Sequence, residues 1–549
     1  MADKRDYNVF FDTHTVSGIV ISTGLYMIFL AGAFALFMEN INHWEANEPV
    51  RDAAAYIDYD GVLEHLEIMG YDMHGRTVRI RNDQGKIQVF SLPLTNKSLH
   101  SNPSAILSDS LAKGSIRLHL ESQTFAEVKM IPVDRFKKLG GFLYGLHYFH
   151  PIPYGMELSG IVAAIFLFSI ITGLIIHWKK IVSNFFTFRL KSTIKNLWAD
   201  AHSALGIIGL PYQFMFALTG AFLGFHLIFL NPVATMYYGN SIHEVYKDVF
   251  PSFSNNKDFA PHGHSDEHVS VNSLVNNTLV EIGDRDISYM DVVVKNYKDE
   301  NAHLGILYTL ENNDGLLSNG EKGYRLTDGK KVFENEVGRT QTLLFGAILT
   351  IAKLHYASYG GYFVKIIYFL LALLTCFVII SGVMVWLKAR EKNRIYASRR
   401  KFNANVGAIY LGICLGLYPA IALMFILTKT FPMEMRHRFD WISWLFLAFW
   451  VAYTIYAYFS KNHFHINRNA LILAGGMGIL VPVLNGFHSG LWFWKSLQMG
   501  YPDSFFVDVG WIVLGTATLI SAYYAKPLNE KARKAKKGIP IMPEVETIK

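Results

Sequence analysis

Asp12-Thr13-His14-Thr15-Val16-Ser17-Gly18 returns 188 residues later as Asp200-Ala201-His202-Ser203-Ala204-Leu205-Gly206. Eighteen residues after each histidine stands the same tripeptide, Gly32-Ala33-Phe34 and then Gly220-Ala221-Phe222. A second matching pair lies between and after them. Leu146-His147-Tyr148 leads through an apolar run to Ile171-Thr172-Gly173 and Trp178, and Leu354-His355-Tyr356 leads to Ile380-Ser381-Gly382 and Trp386. The step from histidine to tryptophan is 31 residues in both. The first 390 residues therefore read as a duplicated two-helix unit with one histidine at a fixed place on every helix.

Hydrophobic residues make up 51% of the chain and charged residues 17%, in long apolar runs, which is the composition of an integral membrane protein and excludes a water-soluble one. A hydrocarbon core about 30 Å thick needs about 20 apolar helical residues. Eight stretches qualify: 16–38, 158–176, 204–230, 366–387, 406–427, 441–459, 470–487 and 505–525. Ala33-Phe34-Ala35 resembles a signal-cleavage site, but the apolar run continues through Met38, so the first span reads as retained.

Lys and Arg near span ends stay on the cytoplasmic side. Lys4 and Arg5, the group from Lys179 to Lys195, the group from Lys388 to Lys401 and the group from Lys531 to Lys537 all fall on one side. Both termini are then expected in the cytoplasm of a multi-pass protein of the bacterial inner membrane. The polar segments 39–145 and 231–345 face the periplasm. This topology accounts for the net charge of +7 without nucleic acid.

The two cysteines, Cys376 and Cys414, sit inside predicted spans and supply neither a disulfide framework nor an iron–sulfur cluster. There is no C-x-x-C-H for covalent haem, and no glycine-rich motif that follows a strand or marks a phosphate loop. In the first polar segment, Thr77–Arg81 and Lys86–Phe90 alternate around a turn as a hairpin. In the second, Ser273–Ile282 predicts a helix, Tyr289–Val294 and Leu304–Leu310 strands, and Tyr324–Phe333 a hairpin around Asp328-Gly329. Two small periplasmic α+β domains follow from this. His262, His264 and His268 have the spacing of a loose metal trap, yet their polar setting reads better as a mobile, solvated loop, and no dedicated metal site is expected.

Depth sorts the remaining histidines into two layers. His14, His177 and His202 lie at the cytoplasmic ends of spans, and His147, His150, His226 and His355 at or near the periplasmic ends. His202 and His226, 24 residues apart on one helix, are separated by about 36 Å. Neutral imidazoles from facing helices ligate haem iron, and ionisable groups inside a membrane are costly enough to raise a functional question. His177 by itself reads as a headgroup contact. The histidines kept in both copies read as ligands. Asp12 and Asp200 suit either orientation of the imidazoles or helix N-caps. Gly32, Gly173, Gly220 and Gly382 suit either a flat macrocycle against the backbone or plain helix packing. Trp178 and Trp386 read as interfacial anchors.

Residues 146–178, 200–222 and 354–386 resemble the PepSY-associated transmembrane family, whose helices carry Leu-His near the start and an Ile-Thr-Gly-like step before a Trp. The resemblance covers roughly residues 1–395. Members include inner-membrane siderophore reductases that look like di-haem proteins with periplasmic domains between the spans. It implies His14, His147, His202 and His355 as haem ligands, with His150, His177 and His226 as alternates. Two features depart from the pattern: the outward segments carry no convincing PepSY sequence, and spans five to eight lie outside the family's core. Trp441, Trp444, Trp450, Trp492 and Trp494 in that part read as lipid-facing and packing residues.

The expected fold is thus an α-helical integral membrane protein in which duplicated two-helix units form a four-helix haem-binding core, with two periplasmic α+β domains and four further C-terminal spans. Its expected divisions are a first span (1–38), periplasmic domain one (39–145), spans two and three (146–230), periplasmic domain two (231–345), span four (346–395), a four-helix membrane module (396–525) and a basic tail (526–549). The expected function is b-type electron transfer through two bis-histidine haems to a periplasmic ferric siderophore. His14 pairs with His202 at the inner haem and His147 with His355 at the outer one, or His226 with His355. The electrons come from quinol or a separate reductase, since no flavin or nicotinamide site is visible. The rival readings are a haem-free scaffold or sensor that binds peptides or restrains a periplasmic protease, and a transporter built on the repeat.

Overall fold

The computed structural model describes residues 4–49, 57–83, 86–91, 116–121, 124–126, 135–187, 189, 192–249, 262–310, 317–338, 343–391 and 396–527. The basic tail and most of its lysines lie outside them. In chain order the helices are α1 (Lys4–Ala35), α2 (Met38–Ala46), α3 (Tyr59–Ile68), α4 (Leu139–His147), α5 (Gly155–His177), α6 (Ile181–Phe186), α7 (Ile194–Tyr237) and α8 (Ile242–Val249). They continue as α9 (Val271–Ile282), α10 (Leu343–Tyr356), α11 (Gly361–Ala389), α12 (Ala397–Thr430), α13 (Arg438–Ser460), α14 (His463–Ser489), α15 (Phe493–Ser496) and α16 (Pro502–Tyr524). Eight of these, α1, α5, α7, α11, α12, α13, α14 and α16, are long and apolar enough to cross a membrane. The chain divides into two compact units, one of residues 1–49, 133–226 and 365–549, the other of residues 50–132 and 227–364.

In the first unit the spans are apolar all round, as lipid requires. Pro419 and Pro482 are accommodated inside α12 and α14. The Asn462 side chain caps α14 by accepting the N–H groups of Phe464 and His465, and Gly490 closes it at φ 74°. His147 is not on the span that follows it. It ends the separate helix α4, and the chain turns back through Phe149 and Tyr154, both at positive φ, before α5. Gly155 is obligatory at that turn, since a Cβ there would stand 1.9 Å from the Phe149 carbonyl oxygen. His355 likewise sits on α10, ahead of α11. The repeating unit is therefore a span, a short histidine-bearing helix and a second span, where the sequence predicts two helices.

The added spans are fastened to the core through α2, a segment with no counterpart in the sequence reading. Glu45 accepts Arg438 Nη1 at 2.7 Å on one carboxylate oxygen and the Leu139 N–H at 2.6 Å on the other. Lys429 donates to the Trp44 carbonyl and, at 2.7 Å, to Asn47 Oδ1, with its ammonium 4.3 Å from the centre of the Trp44 ring. The Trp44 indole N–H donates to Asp508 at 2.8 Å, and Asn485 donates to the other Asp508 oxygen at 2.8 Å. Asn40 and His43 bind Asp503. All the charges in this joint are buried.

Among the described residues the second unit carries one seven-stranded antiparallel sheet. Its strands are β1 (Val78–Asp83), β2 (Lys86–Ser91), β3 (Ile116–Glu121), β4 (Ile287–Lys295), β5 (His303–Leu310), β6 (Asn319–Arg325) and β7 (Lys331–Asn335), in the order β3-β2-β1-β4-β5-β6-β7. The two α+β domains expected from sequence are halves of this single sheet, joined where Val78 and Ile80 of β1 pair with Val294 and Val292 of β4. Each half alone would leave these backbone edges unpaired, and the four-residue join removes them. Val62, Leu63 and Leu66 of α3 and Leu274 and Val275 of α9 share one core with Ile80, Ile87, Leu120, Val292, Leu304 and Ile306. Asp60 of α3 ties the two helices by accepting the N–H groups of Val271 and Asn272 at the start of α9, at 2.9 and 3.1 Å.

Candidate functional site

Three of the histidines rest on seats of one design. His14 Nδ1 donates to the Ser169 carbonyl of α5 at 2.8 Å, and its ring lies over Gly173, where a Cβ would come within 3.0 Å of Cε1. His202 Nδ1 donates to the Val378 carbonyl of α11 at 2.9 Å, over Gly382, with the same 3.0 Å approach. His147 Nδ1 donates to the Ile28 carbonyl of α1 at 2.8 Å, over Gly32, where a Cβ would stand 2.6 Å from Nδ1 itself. In each case the glycine is four residues after the carbonyl. A helical carbonyl already accepts the N–H four residues on, so a second donor must arrive past that residue's Cβ position, and glycine leaves the path open.

The seat has a chemical consequence. An Nδ1–H that donates to a carbonyl fixes the neutral tautomer whose Nε2 carries a lone pair, the form that binds iron. The His14 and His202 rings are neighbours in an edge-type arrangement, with centres 6.1 Å apart and planes 61° apart. Two imidazoles each bound at about 2 Å to opposite sides of one metal ion have ring centres about 6 Å apart. One helical turn beyond each histidine is a glycine, Gly18 and Gly206. A Cβ at Gly18 would meet nothing within 4 Å, and one at Gly206 only Val378 Cγ1 at 3.9 Å. Two neutral imidazoles on neighbouring helices, with a glycine one turn beyond each, are a donor set of the kind that suits haem iron.

The other candidates stand differently. His177 Nδ1 accepts from Asn184 at 2.9 Å, the opposite tautomer to the seated histidines. His226 Nδ1 donates within its own helix to the Leu223 carbonyl at 2.6 Å. His150 stacks on Phe136, ring centres 3.7 Å apart, with Tyr148 at its edge. His355 is buried near the end of α10 and meets Tyr356 edge-on; it belongs to the second unit, whereas His147 belongs to the first.

Neither aspartate serves the imidazoles. Asp12 is exposed two turns inside α1, and Asp200 is tied to Arg189 by bonds of 2.9 and 2.7 Å to the guanidinium and 3.1 Å to its backbone N–H. Neither is an N-cap, because α1 and α7 begin earlier at Lys4 and Ile194. The backbone carbonyls of Ser169 and Val378 do the orienting, which sequence does not display; the glycine four residues later was its only trace. Gly32, Gly173 and Gly382 thus seat imidazoles and do not themselves make room for a macrocycle.

In the sheet unit, His262 and His264 are exposed on an irregular segment, in line with the expected solvated loop, which is anchored where the His262 and Gly263 N–H groups donate to buried Asp299. Although burial opposes it, these bonds and the Asn301 N–H keep the Asp299 carboxyl below its ordinary value. Burial pushes His268 down as well, towards the neutral form. Among the described residues no cluster of three or more His, Cys, Asp or Glu side chains is arranged to hold a metal ion.

A family profile described as the PepSY-associated TM region matches residues 11–389, which takes in both copies of the repeat and ends before the four added spans. No curated protein matches the chain.

Proposed function

Since the chain belongs to the PepSY-associated transmembrane family, we propose that it is a b-type di-haem electron carrier of the bacterial inner membrane that reduces a periplasmic acceptor, a ferric siderophore. The observation that carries this reading is the neighbouring pair His14 and His202, each locked in the ligand tautomer. His147, on an equivalent seat, is the first unit's ligand for a second haem. Ile28, whose carbonyl holds it, lies 14 residues beyond His14 on α1, about 21 Å along the helix. The two sites are thus stacked across the membrane.

A bound haem supplies a one-electron Fe(III)/Fe(II) couple. The chain's own part is to hold the imidazoles neutral and pre-aimed and to surround them with apolar helices. Hard oxygen ligands hold Fe(III) more firmly than Fe(II), so one electron delivered to a ferric siderophore loosens its iron. The electron source is quinol or a separate reductase, and both termini lie in the cytoplasm with the basic clusters.

The test is a reduced-minus-oxidised absorbance spectrum of the purified chain, with a pyridine haemochrome assay. A b-type spectrum with two haems per chain is expected, and His202→Ala should lose one of the two while the protein still inserts. Wild-type protein that stays colourless after expression with ample haem overturns the reading.

A further inference from the structure

The first unit contains a cavity of about 980 Å³ between the family core and the added spans. One end is basic: among the described residues Lys388, Arg390, Arg400, Lys461 and Lys526 line it with one carboxylate, Glu391, which pairs with Lys388 at 2.7 Å. The interior is apolar and aromatic, lined by Phe34, Trp198, Phe369, Phe377 and Leu415. On α12 the lining runs from Arg400 to Tyr418, 18 residues or about 27 Å. Half a bilayer with its headgroups measures about 20–22 Å. Trp198 adds an independent sign: its indole N–H is buried and finds no acceptor among the described residues. It lies four residues from Ile194, another lining residue, about 6 Å further along α7.

We propose that this cavity holds one anionic phospholipid, with its phosphate at the basic mouth, an ester carbonyl within reach of Trp198 and an acyl chain between the core and the added spans. Charge complementarity selects the class. Five cations against one carboxylate favour a phosphate without a compensating ammonium, as basic pockets between membrane helices do. An uncharged quinone ring would make no use of the basic mouth, and a soluble anion would leave the apolar wall from Ala404 to Tyr418, about 21 Å, unfilled. The site does not depend on the haem reading.

The probe is phosphatidylglycerol with brominated acyl chains, compared with brominated phosphatidylcholine, added to the delipidated full chain in detergent. Bromine quenches nearby indoles, and Trp198→Phe isolates one of the 10 tryptophans. Quenching of the Trp198 component is expected to be several-fold stronger with phosphatidylglycerol, and Lys461→Glu/Lys526→Glu should erase that preference. Native mass spectrometry of the mildly solubilised wild type should show one retained phospholipid. Equal quenching by both lipids overturns the proposal even if the charge-reversed variant fails to fold, and so does a retained quinone in place of phospholipid.

Discussion

Two buried polar clusters lie within the first unit, and they differ in what is left over. At the His14 and His202 seats, each Nδ1 donates to a backbone carbonyl, which leaves the lone pair of each ring on Nε2, and His147 Nδ1 donates to a carbonyl in the same way. At the joint between α2 and the added spans, charges are consumed by partners: Glu45 by Arg438 and Leu139, Asp508 by Trp44 and Asn485. Burying a polar group is costly unless it is paired. A saturated cluster therefore fastens helices, whereas a pair of neighbouring neutral imidazoles with the lone pair on Nε2 suits a ligand.

The largest effect that tests this contrast is at the joint. Arg438→Met leaves the Glu45 carboxylate buried without its partner, and breaking such a pair costs about 3–5 kcal/mol. On the proposed haem reading, thermal unfolding of the variant should shift far down, while whatever protein remains folded keeps the wild-type spectrum. Glu45→Gln/Arg438→Met should recover much of the loss. A changed haem spectrum in the folded fraction would show that the joint is part of the redox site and would break the distinction.

At the seats the order of effects is reversed: spectrum first, stability second. Gly32→Ala sets a methyl 2.6 Å from His147 Nδ1, and Gly382→Ala one 3.0 Å from His202 Cε1. Overpacking of this kind costs about 1–3 kcal/mol, yet its main result is a displaced ring. Gly382→Ala and Gly173→Ala, with matching approaches, should move the potential of the same haem by similar amounts, and Gly32→Ala should alter the other haem more strongly. Redox titration followed optically separates the two. Potentials unmoved by all three would mean that the seats only pack helices.

This contrast also explains what was legible in the sequence. The spans were readable because lipid demands long apolar helices, and the histidine repeat because duplication printed the pattern twice, whereas the placing of His147 and His355 on short helices of their own was not. Most strands were readable from alternation, β1, β2, β4, β5 and β7 lying within two residues of expectation, whereas β6 begins five residues ahead of the expected hairpin. Their union into one sheet was not, because Val78 and Val294 are brought together by pairing across more than 200 residues of intervening chain. The joint was missed for a related reason. Asn40, His43, Trp44 and Glu45 form a short polar helix with no repeat, and Lys429, Asp503 and Asp508 look like ordinary span-end charges until α2 is seen against them. The tilt of the histidine rings was hidden because their partners are main-chain oxygens, which every residue has.

The smallest effect is the sharpest check on the seat itself, because it concerns the residue that sequence alone would have favoured. Asp12 and Asp200 occupy equivalent places in the two copies, two residues before a seated histidine. Yet one is exposed and the other grips Arg189. If the carbonyl and the glycine are what orient the imidazole, Asp12→Asn should leave both haem content and potential unchanged. Asp200→Asn loses the Arg189 clamp, so a small drop in melting temperature is expected, again without a change of potential. Resonance Raman bands of the axial ligands report the imidazole directly. A shift in them on either substitution would return the aspartates to the role of orienting groups, and would mean that the two copies preserve the acid for its charge.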